Sequence, residues 1–234
     1  MPTDKGFISE LILQDGLRSA RISCPANLIP SPGQYVLAAD ASDSPLSVPL
    51  FNTDIAPSSG TLTRWRHFIA APPLPDSWRP GQELRLRGPL GRGFSLPVTA
   101  RRVALVSYED TPARSRGLIH TALSQGAAVV LVSESAPDSL PDEVEVQPLA
   151  TLSEVCEWSD YMGFDVAREN LPGLRDHLST MRLLKALINV QVLVRTSMPC
   201  GGVAECGVCA VSLISDWKMA CKDGPVFDWN DIAE

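Results

Sequence analysis

Four of the six cysteines fall close together near the end of the chain, and their spacing constrains the fold more than any other feature. They read Cys200-Gly-Gly-Val-Ala-Glu-Cys206-Gly-Val-Cys209 and then, after an eleven-residue spacer, Cys221. Three thiols on one short loop and a fourth returning after a hairpin-length spacer suit a [2Fe–2S] cluster held by four thiolates, a near variant of the C-x4-C-x2-C…C pattern. Gly201, Gly202 and Gly207 allow tight bends that bring backbone N–H groups to sulfur. Such hydrogen bonds matter because cluster and thiolates together are anionic, and they help to set the potential. Glu205 adds a carboxylate that lowers the potential if its charge is uncompensated. Zinc is the first alternative, although zinc sites usually carry two short ligand arms and one is present here. A pair of disulfides is the second, which a chain without a signal peptide disfavours.

The chain has 234 residues, enough for one to three small domains with a sizeable core. With 44% apolar and 20% charged residues its composition is globular, and a net charge of −7 argues against nucleic acid as a partner. No apolar run approaches the ~18 residues of a membrane helix, so no membrane insertion is expected. The expectation is a cytoplasmic protein.

Residues 7–28 alternate as two strands, Phe7–Leu13 and Leu17–Ser23, around a Gln14-Asp15-Gly16 turn. Ser31-Pro32-Gly33-Gln34 is another turn, ahead of a strand from Tyr35. Further strands are expected at Leu62–Ala70 and Glu83–Arg87, with no helix before residue 110. Short strands with Gly/Pro turns predict a Greek-key β-barrel.

The middle of the chain reads as α/β. Val103–Ser107 is a buried-type strand, followed by a helix with Thr111 as N-cap and Pro112 at N1. Leu118, Ile119, Ala122 and Leu123 form its apolar face, and Gly126 ends it. Strands follow at Ala127–Val132, Val144–Gln147 and Tyr161–Val166. Thr151 with Glu154 predicts a capping box, and Pro172–Ser179 another helix. The sum is a small parallel sheet with helices on its faces.

The run Met198-Pro-Cys-Gly-Gly…Cys-Gly-Val-Cys-Ala-Val…Ala-Cys-Lys-Asp-Gly-Pro-Val-Phe227 resembles the C-terminal cluster domain of the electron-transfer subunit of two-component dihydroorotate dehydrogenases, within the ferredoxin-NADP reductase superfamily. Pro32-Gly33-Gln34-Tyr35 and Gly88-Pro-Leu-Gly-Arg-Gly-Phe94 are similar to segments of that family's flavin barrel. The resemblance implies a flavin-type barrel over 1–99, a nicotinamide-type α/β domain over 100–193 and a [2Fe–2S] domain over 194–234. It also implies FAD contacts at Pro45, Leu46 and Ser47, and cluster ligands Cys200, Cys206, Cys209 and Cys221.

The chain departs from the family at both nucleotide sites. Ser44 stands where the family has a flavin-contacting arginine. Ala71-Pro-Pro-Leu-Pro-Asp-Ser77 occupies the interval of the flavin-pyrophosphate turn, and its prolines lack the N–H groups of a phosphate cradle. Arg64, Arg66 and His67 are the nearest cations, and solvated strand edges are their plainer role. FAD stays open. The first α/β turn, Ser107-Tyr-Glu-Asp-Thr-Pro112, has no glycine and two carboxylates where a pyrophosphate would land, so no NAD(P)H is expected.

The expected protein is a subunit of a redox complex rather than a stand-alone enzyme, relaying electrons to or from a flavin-containing catalytic subunit, with pyrimidine biosynthesis implied by the resemblance alone. The alternatives are a complete FAD/NAD(P)H reductase subunit and a non-catalytic assembly subunit with a structural metal. Trp217 and Trp229 shield the cluster or pack beneath its hairpin. Cys24, Cys156 and the three histidines, His67, His120 and His177, read as bystanders.

Overall fold

The structure is a computed structural model that describes residues 2–14, 16–40, 46–53, 65–108, 111–135, 140–180 and 189–232. Asp15, Ser44, Pro45, Arg64, Glu109 and Asp110 lie outside the described residues.

The first sheet holds β1 (Thr3–Gln14), β2 (Leu17–Pro25), β3 (Tyr35–Ala39), β4 (Val48–Phe51), β5 (Trp65–Ala70) and β6 (Glu83–Leu90). All pairs are antiparallel, in the order β4-β3-β6-β1-β2-β5. The two ends meet: Thr53 N–H donates to Ile69 O at 2.8 Å and Ala71 N–H to Phe51 O at 2.8 Å, closing a barrel. Closure removes the open edges that would otherwise template aggregation. Inward residues such as Ile8, Ile22, Val36, Leu50, Phe68 and Leu86 fill it, and Trp78 is buried with them.

The second sheet holds β7 (Arg102–Ser107), β8 (Ala128–Val132), β9 (Val144–Gln147), β10 (Tyr161–Ala167) and β11 (Val190–Arg195). These five are parallel, in the order β11-β10-β7-β8-β9. Helices α1 (Gly117–Ser124), α2 (Leu152–Trp158) and α3 (Leu171–Thr180) lie in the connections. Burial on both faces explains the nearly unbroken apolar strands.

A two-stranded hairpin, β12 (Ala210–Ser212) and β13 (Trp217–Met219), follows. Then β14 (Val226–Asp228) adds antiparallel to β11, and the short α4 (Trp229–Ile232) packs against both. The expected boundary at 193/194 falls inside β11, so the cysteine-bearing segment is continuous with the α/β sheet.

Local signals are mostly where the sequence puts them. Thr111 Oγ1 accepts from Ala113 N–H, with Pro112 opening a turn of 3-10 helix before α1. The Thr151–Glu154 capping box does not form. Thr151 lies within a 3-10 turn, and its hydroxyl donates back to Pro148 O at 2.9 Å instead of accepting from the helix. Among the described residues no helix is long and apolar enough to cross a membrane.

Chain order reverses between β7 and β10, and ligands of such sheets bind at the carboxyl ends of the strands flanking that reversal. Here protein groups fill the position. Asp165, 1% exposed at the end of β10, contacts Arg114 Nη1 at 3.2 Å and Arg195 Nε at 2.8 Å. The Arg195 charge touches the carboxylate without hydrogen-bond alignment. Arg114 also donates to Pro72 O of the barrel at 2.8 Å, so one buried guanidinium ties both sheets. Breaking such a group leaves buried charge uncompensated. Asp165→Ala is therefore expected to destabilise the protein by about 3–5 kcal/mol, read as a lowered denaturation midpoint; an unchanged midpoint would show the triad to be dispensable.

Candidate metal centre

The loop from Cys200 to Cys209 has no regular secondary structure, and its shape comes from left-handed backbone. Gly201, Gly202, Ala204 and Gly207 have φ of 65°, 76°, 64° and 72°. Successive turns of this kind point N–H groups into one concavity. The N–H groups of Val203, Glu205 and Ala204 are directed at Cys200 Sγ, and that of Ala204 also at Cys221 Sγ. Three consecutive donors on one sulfur are what an anionic ligand needs.

The four expected ligands come together as two pairs. Cys206 lies beside Cys200 and Cys221 beside Cys209, whose own thiol donates to Met219 Sδ at 3.8 Å. Ala220 N–H reaches Cys209 O at 3.0 Å, which brings the hairpin's return beside the loop. Among the described residues no three His, Cys, Asp or Glu side chains converge on one point that could hold a single ion.

The pairs differ in environment. Cys209 and Cys221 are buried in a core cluster with Met219, Phe227 and Trp229, whereas Cys206 is exposed and Cys200 half-buried. Burial pushes the Cys221 thiol up to about 12, helped by its hydrogen bond to Cys209 and by the charge of Cys209, against the Ala204 N–H. At Cys200 the burial effect is overcome by hydrogen bonds from Cys206 and from the Val203, Glu205 and Ala204 N–H groups, which bring it down to about 6.

Both sheets hold this loop. From the barrel, Tyr35 Oη donates to Cys221 O at 2.6 Å, and Arg87 Nη2 donates to Gly201 O. From the α/β side, Arg168 donates to Val208 O and, at 3.3 Å, to Ala210 O; Arg175 donates to Ser212 O at 3.2 Å. The segment after Cys221 is clamped as closely. A Cβ on Gly91 would lie 2.5 Å from Gly224 O, Arg92 N–H donates to that same oxygen, and Arg92 pairs with Asp228 at 2.8 Å. The Gly88–Phe94 segment thus abuts the Asp-Gly-Pro-Val-Phe tail.

Several expectations meet the structure differently. Trp217 does not cover the cysteines: it is 62% exposed on the hairpin's outer face, whereas Trp229 is buried against their core. Leu46 is exposed and Ser47 half-buried just ahead of β4, and Arg66 and His67 are exposed on β5. Cys24 and Cys156 are buried, and burial raises their thiols to about 12 and about 11. His177 meets Tyr108 Oη at 3.5 Å. Tyr35, Arg87 and Arg168 were not foreseen as supports. Asp165 could have been, because one carboxylate in an apolar parallel strand requires a buried partner.

Known proteins resemble the chain in two ways. Residues 196–233 match the family model described as the iron–sulfur cluster binding domain of dihydroorotate dehydrogenase B. The gamma subunit of sulfhydrogenase 1 from Pyrococcus furiosus is 46% identical over 44 residues, which is 19% of this chain and 15% of that subunit. Over nearly the whole chain the fold is similar to a structure described as an NADH-dependent reduced ferredoxin-NADP oxidoreductase, with a TM-score of 0.70 and 15% identity over 97% of this chain and 89% of that one. The ferredoxin reductase of carbazole 1,9a-dioxygenase gives 0.59 and 14% identity over 82% of this chain and 68% of that one.

At neutral pH, iodoacetamide should modify Cys206 and Cys200 of the iron-free protein well before the four buried cysteines. The Cys200 rate should hold down to about pH 6 and fall below it, as the thiolate is protonated. Peptide mass mapping checks the order; rapid labelling of Cys209 or Cys221 would contradict this burial.

The chain carries an iron–sulfur cluster binding domain of the dihydroorotate dehydrogenase B type on a ferredoxin reductase-type fold.

Proposed function

We propose that this chain is the iron–sulfur electron-transfer subunit of a larger redox complex, with a [2Fe–2S] cluster held by Cys200, Cys206, Cys209 and Cys221. The observation that carries the reading is the gathering of these thiols around a loop of left-handed turns, within the residues that match an iron–sulfur cluster binding domain. When bound, such a cluster supplies one-electron transfer. The chain's own residues would hold it, with Cys209 and Cys221 on the dry side and Cys206 toward solvent, where a partner can approach. By analogy with the matched family, that partner is a flavin-containing catalytic subunit. Six free cysteines suit a reducing compartment such as the cytoplasm.

A second reading adds FAD on the barrel, with Pro45, Leu46 and Ser47 as its contacts. The ferredoxin reductase-type fold and the accessible Leu46 and Ser47 favour it. A nicotinamide leg has less support, since Arg114, Asp165 and Arg195 fill the reversal of the parallel sheet. The division into a barrel over 1–99, an α/β unit over 100–193 and a cluster unit over 194–234 belongs to the same proposal.

The test is an anaerobic ultraviolet–visible spectrum with iron, sulfide and flavin assayed on one sample. Two irons and two sulfides per chain are expected. Cys209→Ser should lose most of both and loosen residues 194–228, and full retention would overturn the ligand assignment. One zinc without sulfide would mean a structural metal, and one flavin per chain would establish the second reading.

A further inference from the structure

Arg87 lies on β6 of the barrel, far in sequence from the matched residues 196–233. It is half-buried and donates to the carbonyl of Gly201, the residue after Cys200. Its Nε is buried without a hydrogen-bond partner, and among the described residues no carboxylate pairs with it. Arg114 and Arg195, by contrast, share Asp165. A partly buried cation without a counter-ion is unfavourable unless negative charge stands nearby.

Negative charge stands close by in the thiolate of Cys200, the residue before the Gly201 carbonyl that Arg87 holds. Tyr35, fully buried, donates to Cys221 O at 2.6 Å, and a Cβ on Gly202 would stand 3.0 Å from its hydroxyl. Arg87 and Tyr35 thus hold the two ends of the cysteine segment from the barrel side, at Gly201 and Cys221, where burial leaves little water to screen charge.

We propose that Arg87 is the counter-ion of the cluster site, a positioning residue supplied by the barrel that holds the Cys200 loop and raises the reduction potential of the bound cluster. The inference rests on the ligand reading above. Its physical basis is that each reduction adds one electron, and hence one negative charge, to an already anionic site. A fixed positive charge stabilises the reduced form more than the oxidised form. Glu205 is exposed and contributes little against it.

The experiment is an anaerobic dithionite titration of the whole chain, followed by electron paramagnetic resonance of the reduced cluster, on wild type, Arg87→Gln and Arg87→Lys. Iron and sulfide are assayed on every sample. Arg87→Gln should keep its iron and sulfide and shift the one-electron equilibrium about tenfold toward the oxidised form, a fall of about 59 mV. Arg87→Lys, which keeps the charge, should titrate close to wild type. A fully loaded Gln variant at the wild-type potential would overturn the proposal, as would a Lys variant shifted as far as the Gln one. If Arg87→Gln loses the cluster, the Lys variant decides: retention at the wild-type potential supports the counter-ion, and loss or an equal shift refutes it. A wild type without iron and sulfide would defeat the ligand reading itself.

Discussion

The hydrogen bond from Tyr35 Oη to the Cys221 carbonyl, 2.6 Å long, joins parts of the chain separated by 186 residues. The cysteine loop needs such external ties. Its left-handed residues form no ladder with one another, and Ala204 holds a conformation unfavourable for any residue with a Cβ. The loop keeps its shape because its carbonyls at Gly201, Val208 and Cys221 are claimed by side chains from outside, two from the barrel and one from the α/β unit. Remove those donors and the N–H concavity loses its frame.

The same logic explains the order of the chain. The barrel supplies Tyr35 and Arg87, the parallel sheet supplies β11 and Arg168, and the cysteines come last, where they can be gripped from both sides. Gln191 of β11 knits the three parts: it accepts from Ser95 N–H at 2.8 Å and from Tyr161 at 3.0 Å, and donates to Asp228 at 3.0 Å. Three polar partners on one buried amide offset the cost of its desolvation.

Much of this was legible in the residues. Alternation with Gly/Pro turns located most barrel strands, apolar runs located β7, β8 and β10, and the cysteine spacing located the candidate centre. What escaped depends on distant partners. Glu83-Leu-Arg-Leu-Arg87 reads as a strand with an outward charged face, which holds for Arg85, exposed, but not for Arg87. Val226–Asp228 is too short to carry a period, and only pairing with β11 makes it a strand. Thr151 does stand at the N-cap position of α2, but the preceding 3-10 turn draws its hydroxyl back to Pro148 O, so no capping box forms. Trp217 shows the limit of composition: aromatic character suggested a shield or packing beneath the hairpin, and its place in the hairpin leaves it 62% exposed.

The antiparallel addition of β14 to β11 has a bearing on how this protein can be cut. It caps what would otherwise be a bare, apolar sheet edge, with Val192 and Leu193 opposite Phe227 and Val226. A fragment ending before the cysteines would present that edge to other molecules as a template for intermolecular pairing. The α/β unit cannot be liberated by trimming the tail, and the tail cannot be grafted elsewhere without bringing β11 along.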